Sequence, residues 1–463
     1  MTTRTPTDRA TLAPPEGPRA PEGALTPERI AAARMAFDAE PRNRLMQNAV
    51  TQSPLDDVAL DRAVVTELDH SYSNLLDDWK VTNQKRSGRC WLFAGLNLLR
   101  PGAMRAMRLE TFEFSQNHLL FWDKLEKANY FLEAMIELAE RPIDDRTLHY
   151  LLHRPIDDGG QWNMFVNLVR KHGLVPQAAM PETESSSNTG RMNDLLCHTL
   201  RDGARELRTL QAQGASPVEL RAAKDARVER VYRMLSIHLG TPPERFDWQW
   251  NDKDGAFHRD GSLTPQAFAE RYVTLPIEDY VCLVHDPRPE SPMGRTFTVE
   301  YLGNVAGGEP VVYLNGEIAL MKSLASEVIQ SGEPVWFGCD VGKMLRRDLG
   351  LWDARLFDYE AVYGFDFELD KADRLRYGHA MMTHAMLFTG VDLVEGRPRR
   401  WRVENSWGED GGRKGFYAMN DSWFDEHMLE IAVHRDRLPD ALRAALDAEP
   451  IRLPAWDPMG SLA

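Results

Sequence analysis

The chain has 463 residues, 43% hydrophobic and 27% charged, with a formal net charge of −15. That length suffices for two or three domains, or one with large insertions, around a core that needs no disulfide staples. The acidic balance argues against a nucleic-acid partner, which needs a basic footprint, and no run approaches the roughly 18 apolar residues of a membrane span.

Residues 1–25 are rich in Pro, Thr and Ala and contain no continuous apolar run. They are expected to form a disordered arm, neither a secretory signal nor a membrane anchor. Thr26-Pro27-Glu28 predicts a helix start, with Thr26 as cap, Pro27 at the first helical position and Glu28 at the positive end of the dipole. Gly88 breaks the chain, and a helix is expected from Arg89 to Arg100, ended by Pro101.

Met192, Leu195, Leu196, Leu200, Ala204, Leu207 and Leu210 recur at helical spacing. After Gly214, Ser216 and Glu219 have capping-box spacing and open a second run through Leu220, Val228, Val231, Leu235 and Leu239. Gly240-Thr241-Pro242-Pro243 ends it. Residues of about 190–240 therefore read as a helical hairpin.

From about Tyr272 the pattern changes to short β-prone runs separated by Gly and Pro clusters. They are Val281–Val284, Phe297–Val299, Val311–Leu314, Val335–Phe337, Met386–Phe388 and Trp401–Val403. The fold class is α+β: helices early, strands late, and a large helical insertion between them.

The four cysteines, Cys90, Cys197, Cys282 and Cys339, are far apart and make no C-x-x-C pair. Their spacing fits neither a disulfide framework nor a zinc site and suits a reducing, cytoplasmic compartment. Cys90 stands at the expected helix N-terminus, where the dipole and free N–H groups favour the reactive thiolate. Gln84, six residues upstream, can fold back and offer its amide to a developing oxyanion. A lone cysteine before Trp91-Leu92-Phe93 is also a common core residue, and further groups must decide between the two readings.

Those groups lie in Thr383-His384-Ala385 and Glu404-Asn405-Ser406-Trp407-Gly408. A thiolate needs an imidazole to hold the ion pair and protonate the leaving amine, and the imidazole needs a polar group to fix its tautomer. Cys90, His384 and Asn405 supply these roles, and Trp407 can shield the His–Asn bond from water. His379, Cys282 and Cys339 are expected to be structural. Cys197 and His198 are adjacent on a helix, so they diverge and make no metal site; Asp457 reads as a turn former.

The Gln-x5-Cys-Trp, His-Ala-x4-Gly and Asn-Ser-Trp-Gly segments resemble the papain family of cysteine peptidases. Ser87-Gly88-Arg89-Cys90-Trp91 departs from the Cys-Gly-Ser-Cys-Trp of secreted members, whose first cysteine is disulfide-bonded. Cys90 and His384 are 294 residues apart, against roughly 130–150 in the simple papain pattern. That larger layout resembles the bleomycin hydrolase and aminopeptidase C subfamily, as do Phe121–Lys124, Asp158–Trp162, Pro334–Asp340 and Pro454–Gly460.

The resemblance implies a two-lobed papain-like fold. The expected parts are the arm (1–25), an N-terminal helical lobe with the nucleophile (26–175), a helical insertion serving oligomerisation (176–270), and a β lobe carrying His384, Asn405 and the tail (271–463). It implies that Gly159 and Gly160 meet the substrate backbone, although Asp-Gly-Gly also reads as a plain turn. It further implies that the terminal carboxylate of Ala463 meets the substrate's amine, and that six copies form a barrel. The expected function is a thiol aminopeptidase acting on peptides with a free N-terminus, with neither metal nor organic cofactor. An endopeptidase with an untethered tail and an inactive scaffold are the alternatives.

Overall fold

The computed structural model describes residues 23–76 and 79–462. Most of the expected arm, and Ala463, lie outside the described residues. The chain divides into two compact units, one formed by the segment up to Leu60 with Phe357–Phe367, the other by Asp61–Leu356 with Glu368–Ala463.

The smaller unit contains short helices, Pro27–Ala39, Pro41–Val50, Leu55–Ala59 and Tyr359–Tyr363. The first begins as the sequence predicts: Thr26 Oγ1 accepts the Arg29 N–H at 3.3 Å, with Pro27 in the first turn. The Tyr359 hydroxyl donates to Asp56 at 2.7 Å and ties the last of these helices to the third.

The larger unit holds the catalytic candidates. Its helices include Cys90–Met107, Gln116–Glu137 and Trp162–His172, and the predicted hairpin is present as Gly190–Ala212 and Pro217–Leu239. Ser216 and Glu219 form the full capping box at the second hairpin helix. Leu196, Leu200, Leu207, Val231 and Leu235 give the hairpin one buried stripe, which packs on Gln116–Glu137.

A twelve-stranded sheet runs in the order Ile451–Leu453, Thr296–Val299, Tyr313–Asn315, Tyr280–Val284, Met428–His434, Val335–Cys339, His384–Val394, Arg397–Glu404, Phe416–Asn420, Leu351–Trp352 and Leu345–Arg346, with Asn74–Leu75 added on His384–Val394. Its central strands are buried on both faces, and successive residues alternate between two cores. Trp336 and Leu387 join the core around the nucleophile helix, whereas Phe337, Met386 and Phe388 join a second core with Trp401, Trp423 and Phe424. Phe337 and Phe388 stack across the strand pair at 4.0 Å.

Two sequence expectations are corrected. The nucleophile helix does not stop before Pro101 but runs through it to Met107, ending where Arg108 turns left-handed at φ 54°. An internal proline costs about 3 kcal/mol. Continuing the helix keeps Ala103 and Met107 in the core, and burial at roughly 1.5–3 kcal/mol per large apolar side chain offsets that cost.

The second correction concerns the insertion, which is not wholly helical. Phe246–Asn251 and Phe257–Leu263 pair antiparallel within it. The signal was the alternation Phe246, Trp248, Trp250, whose half-buried side chains pack on the core while Asp247, Gln249 and Asn251 face solvent.

Among the described residues no helix is long and apolar enough to cross a membrane, and no group of three or more His, Cys, Asp or Glu side chains is arranged to hold a metal ion.

Candidate active site

Cys90 is the first residue of its helix, as the glycine break predicts, with Arg89 as the N-cap. His384 opens the strand His384–Val394, and Asn405 follows the last residue of Arg397–Glu404. These strands are antiparallel neighbours with Leu387 opposite Glu404, so the imidazole and the amide emerge at the same end of the sheet. The nucleophile helix packs on His384–Val394, and the Ala385 N–H points at the Cys90 sulfur. The three side chains, with Cys90 and His384 294 residues apart in the chain, therefore meet at one end of the sheet.

His384 Nε2 is bound to Asn405 Oδ1 at 2.9 Å, which leaves Nδ1 as the nitrogen free to take a proton. The same oxygen accepts the Ser406 N–H at 2.7 Å. Trp407 lies over the imidazole, ring centroids 4.9 Å apart and tilted by 31°. The Arg347 guanidinium sits 5.2 Å from the opposing Trp407 ring. The indole thus lies beside the His–Asn bond.

Gln84 reaches the same place by strand-like pairing with the Asn405 loop. Its N–H donates to Ser406 O at 2.8 Å, Asn83 bridges Trp407, and the Gly408 N–H donates to Thr82 O at 3.0 Å. Gly408 has φ +76°, and a Cβ there would lie 2.4 Å from the Asn83 amide, so this contact requires glycine. The Gln84 amide is held at both ends: Oε1 accepts from Ser406 Oγ at 2.6 Å and Nε2 donates to Ser87 O at 2.5 Å. One N–H remains for an incoming oxygen. Ser406 was not singled out from the sequence, because its partner lies 322 residues away.

Burial governs the charges. It pushes the Cys90 thiol up to about 11, aided by the Asp158 carboxylate, while the N–H groups of Ala385, Trp91 and Cys90 itself pull it down. The donors expected at the helix N-terminus are present, and at 2% exposure desolvation opposes them. Burial likewise holds His384 down to about 4, opposed by its bond to Asn405. Burial thus favours the neutral form of each group. Proton transfer between them creates two opposite charges, and each offsets the cost of burying the other.

Gly159 and Gly160 lie on the loop before Trp162–His172. Lys127 Nζ donates to Gly159 O. At Gly160 a Cβ would lie 2.4 Å from the buried Trp91 indole, so the absence of a side chain here has a packing reason. Beside this loop runs the tail: Gln161 Nε2 donates to Ser461 O, and Ser461 Oγ donates to Met382 O, both at 2.6 Å. The tail therefore spans from the neighbour of Gly160 to a residue two before His384. A cavity of about 460 Å³ opens next to it, lined by Tyr150, Arg154, Asp157, Trp456 and Leu462 among others.

Of the remaining candidates, Cys339 pairs with His384 across the strands and its thiol donates to His384 O at 3.7 Å. Cys282 and Cys339 are fully buried, and burial pushes both thiols well above their ordinary value. The Cys197 thiol donates to Ile156 O at 3.5 Å. His379 is exposed. Asp457 caps the turn at Pro458–Gly460 and also pairs with Arg288 at 2.9 Å.

Comparison with known proteins agrees with this geometry. The Peptidase C1-like family matches residues 24–460. The chain is 43% identical to bleomycin hydrolase of Homo sapiens over 449 residues, 95% of this chain and 99% of that protein. It is 42% identical to aminopeptidase C of Lactobacillus delbrueckii subsp. lactis, over 86% of this chain and 89% of that protein. The crystal structure of PepW from Lactobacillus rhamnosis HN001 superposes with a TM-score of 0.94 at 41% identity, covering 96% of this chain and all of that one. The chain belongs to the Peptidase C1-like family and has the fold of the papain-like cysteine peptidases.

Proposed function

We propose that this protein is a cysteine aminopeptidase that removes N-terminal residues from peptides and hydrolyses related amides. The observation that carries the reading is the His384–Asn405 bond at 2.9 Å beside a cysteine that starts a helix. The names of the relatives, bleomycin hydrolase and aminopeptidase C, support it.

In this mechanism Cys90 passes its proton to His384 Nδ1 and its sulfur attacks the amide carbonyl. The oxyanion takes the free N–H of Gln84 and the backbone N–H of Cys90. His384 gives its proton to the leaving amine, and the acyl thioester is hydrolysed by a water that His384 deprotonates. Asn405 keeps the ring in the orientation that both transfers need.

Selection of free N-termini is assigned to the tail. Ser461 is anchored between Gln161 and Met382, and the carboxylate of Ala463, two residues on, would meet the substrate's ammonium group. Gly159 and Gly160 would offer their backbone to the substrate. A cytoplasmic homohexamer completes the proposal; it rests on the resemblance and on the unpaired cysteines.

Assay of aminoacyl amides, free and N-acetylated, with and without thiol alkylation tests the reading. The free amides should be cleaved, the acetylated ones spared, and alkylation or Cys90→Ala should abolish turnover. Full activity of Cys90→Ala would overturn the mechanism. Equal cleavage of acetylated amides would overturn the aminopeptidase assignment.

A further inference from the structure

The start of the insertion wraps the loop that carries the nucleophile. Arg86 N–H donates to Ser187 O at 2.9 Å, and Thr189 N–H donates to Arg86 O at 3.3 Å. Arg89, fully buried, forks onto Glu182 at 2.9 and 2.7 Å. At the centre is Asp158, the residue before Gly159. Its carboxylate accepts the Gly88 N–H at 2.9 Å, the Asn193 amide at 2.8 Å and the Thr189 hydroxyl, and it pairs with Lys124 Nζ at 2.6 Å. Its backbone oxygen accepts the Trp91 indole N–H at 2.7 Å.

One residue thus ties five segments together: the loop before Cys90, the helix that Cys90 begins, the glycine loop, the start of Gly190–Ala212 and, through Lys124, Gln116–Glu137. All four cysteines are free, so no covalent bond shares this task. The Asp158 carboxyl is held well below the usual carboxylate range by Lys124, Thr189 and the Gly88 N–H, in spite of burial. It is a fixed negative charge.

We infer that Asp158, gripped by Thr189 and Asn193 of the insertion, is a positioning residue that sets Cys90 and the Gln84 loop in catalytic register. The insertion is on this view part of the active-site frame. The inference rests on Cys90 being the nucleophile. The charged and titratable groups around the knot are Lys124, Lys127 and Asp123 on Gln116–Glu137, Arg89 with Glu182, and His384 and Cys339 on the sheet side of Cys90.

Two variant sets test it, both normalised to titrated Cys90. Asp158→Asn removes a charge that raises the Cys90 thiol, so the midpoint of the alkylation rate against pH should move down. Its kcat should fall tenfold or more with KM within about twofold, because a displacement of about 1 Å can cost roughly 10²-fold. Thr189→Val removes one grip without stranding a charge, and its kcat should fall about three- to tenfold with the alkylation midpoint unmoved. Thr189→Ser, which keeps the hydroxyl, should restore it.

A merely structural role would lower Tm and the fraction of titratable thiol while leaving kcat per thiol and the midpoint unchanged. That result in Asp158→Asn, or in Thr189→Val should Asp158→Asn not fold, overturns the inference. If the wild-type protein shows no Cys90-dependent turnover, the proposed function fails instead. The alkylation rate per titrated Cys90 in Thr189→Val then still decides the positioning role: a slower rate supports it and an unchanged rate overturns it.

Discussion

Gly160→Ala distinguishes a packing role for the glycine from a substrate-binding one. The new methyl would lie 2.4–2.6 Å from three atoms of the Trp91 indole, a ring with no solvent exposure whose N–H is bound to Asp158 O at 2.7 Å. Overpacking of this kind costs about 1–3 kcal/mol, and an indole N–H pushed off its buried acceptor costs about 1–3 kcal/mol more. The expected loss is roughly 2–6 kcal/mol. An unfolding entropy of about 2.1 cal/mol/K per residue gives about 1 kcal/mol per degree for this length, so Tm should fall by roughly 2–6 °C in a thermal melt. Trp91 follows Cys90, so kcat should fall at least about tenfold with the misplaced thiol. If Tm stays within a degree while KM alone rises, the glycine serves substrate approach and the packing argument is refuted.

Gln84→Ala should lower kcat by about 10²–10³ with little change in KM, the usual loss for one oxyanion donor; steady-state kinetics on an aminoacyl amide reads it, and an unchanged kcat removes Gln84 from the mechanism. Asn405→Ala removes the bond that raises His384, so the imidazolium becomes harder to form. kcat/KM should drop at least about tenfold, and alkylation of Cys90 near neutral pH should slow; an equal alkylation rate would contradict the orienting role.

Glu430, buried against Cys282, is raised by burial from 4.5 to about 7. Its folded form binds the proton more tightly, so the stability it contributes is complete below about pH 4.5 and is lost as pH rises through about 7. From pH 5 to 8 that loss is roughly 2–3 kcal/mol. Melts of Glu430→Gln should therefore gain about 2–3 °C on the wild type over that interval, and parallel curves would show that Glu430 is not protonated in the folded state.

Local chemistry made much of this protein legible in the sequence. A glycine before Cys90 predicts a helix beginning there, and Ser216 with Glu219 predicts the capping box that is present. Periodicity marks the hairpin, and β-branched runs mark the central strands, since buried elements carry their apolar pattern in adjacent residues. The roles proposed for Cys90, His384 and Asn405 are read from what a thiol nucleophile needs, whatever the fold.

Tertiary structure decided what depends on residues far apart in the chain. Pro101 is absorbed into a helix because the core on its far side outweighs a local rule, and the insertion contains a hairpin that helical neighbours obscured. Ser406 holds the Gln84 amide from across the cleft, and Asp158 joins the glycine loop to the nucleophile and to the insertion. The charge state of Cys90 also belongs here. Its helix position favours a thiolate, whereas burial, which no local pattern encodes, pushes the thiol up.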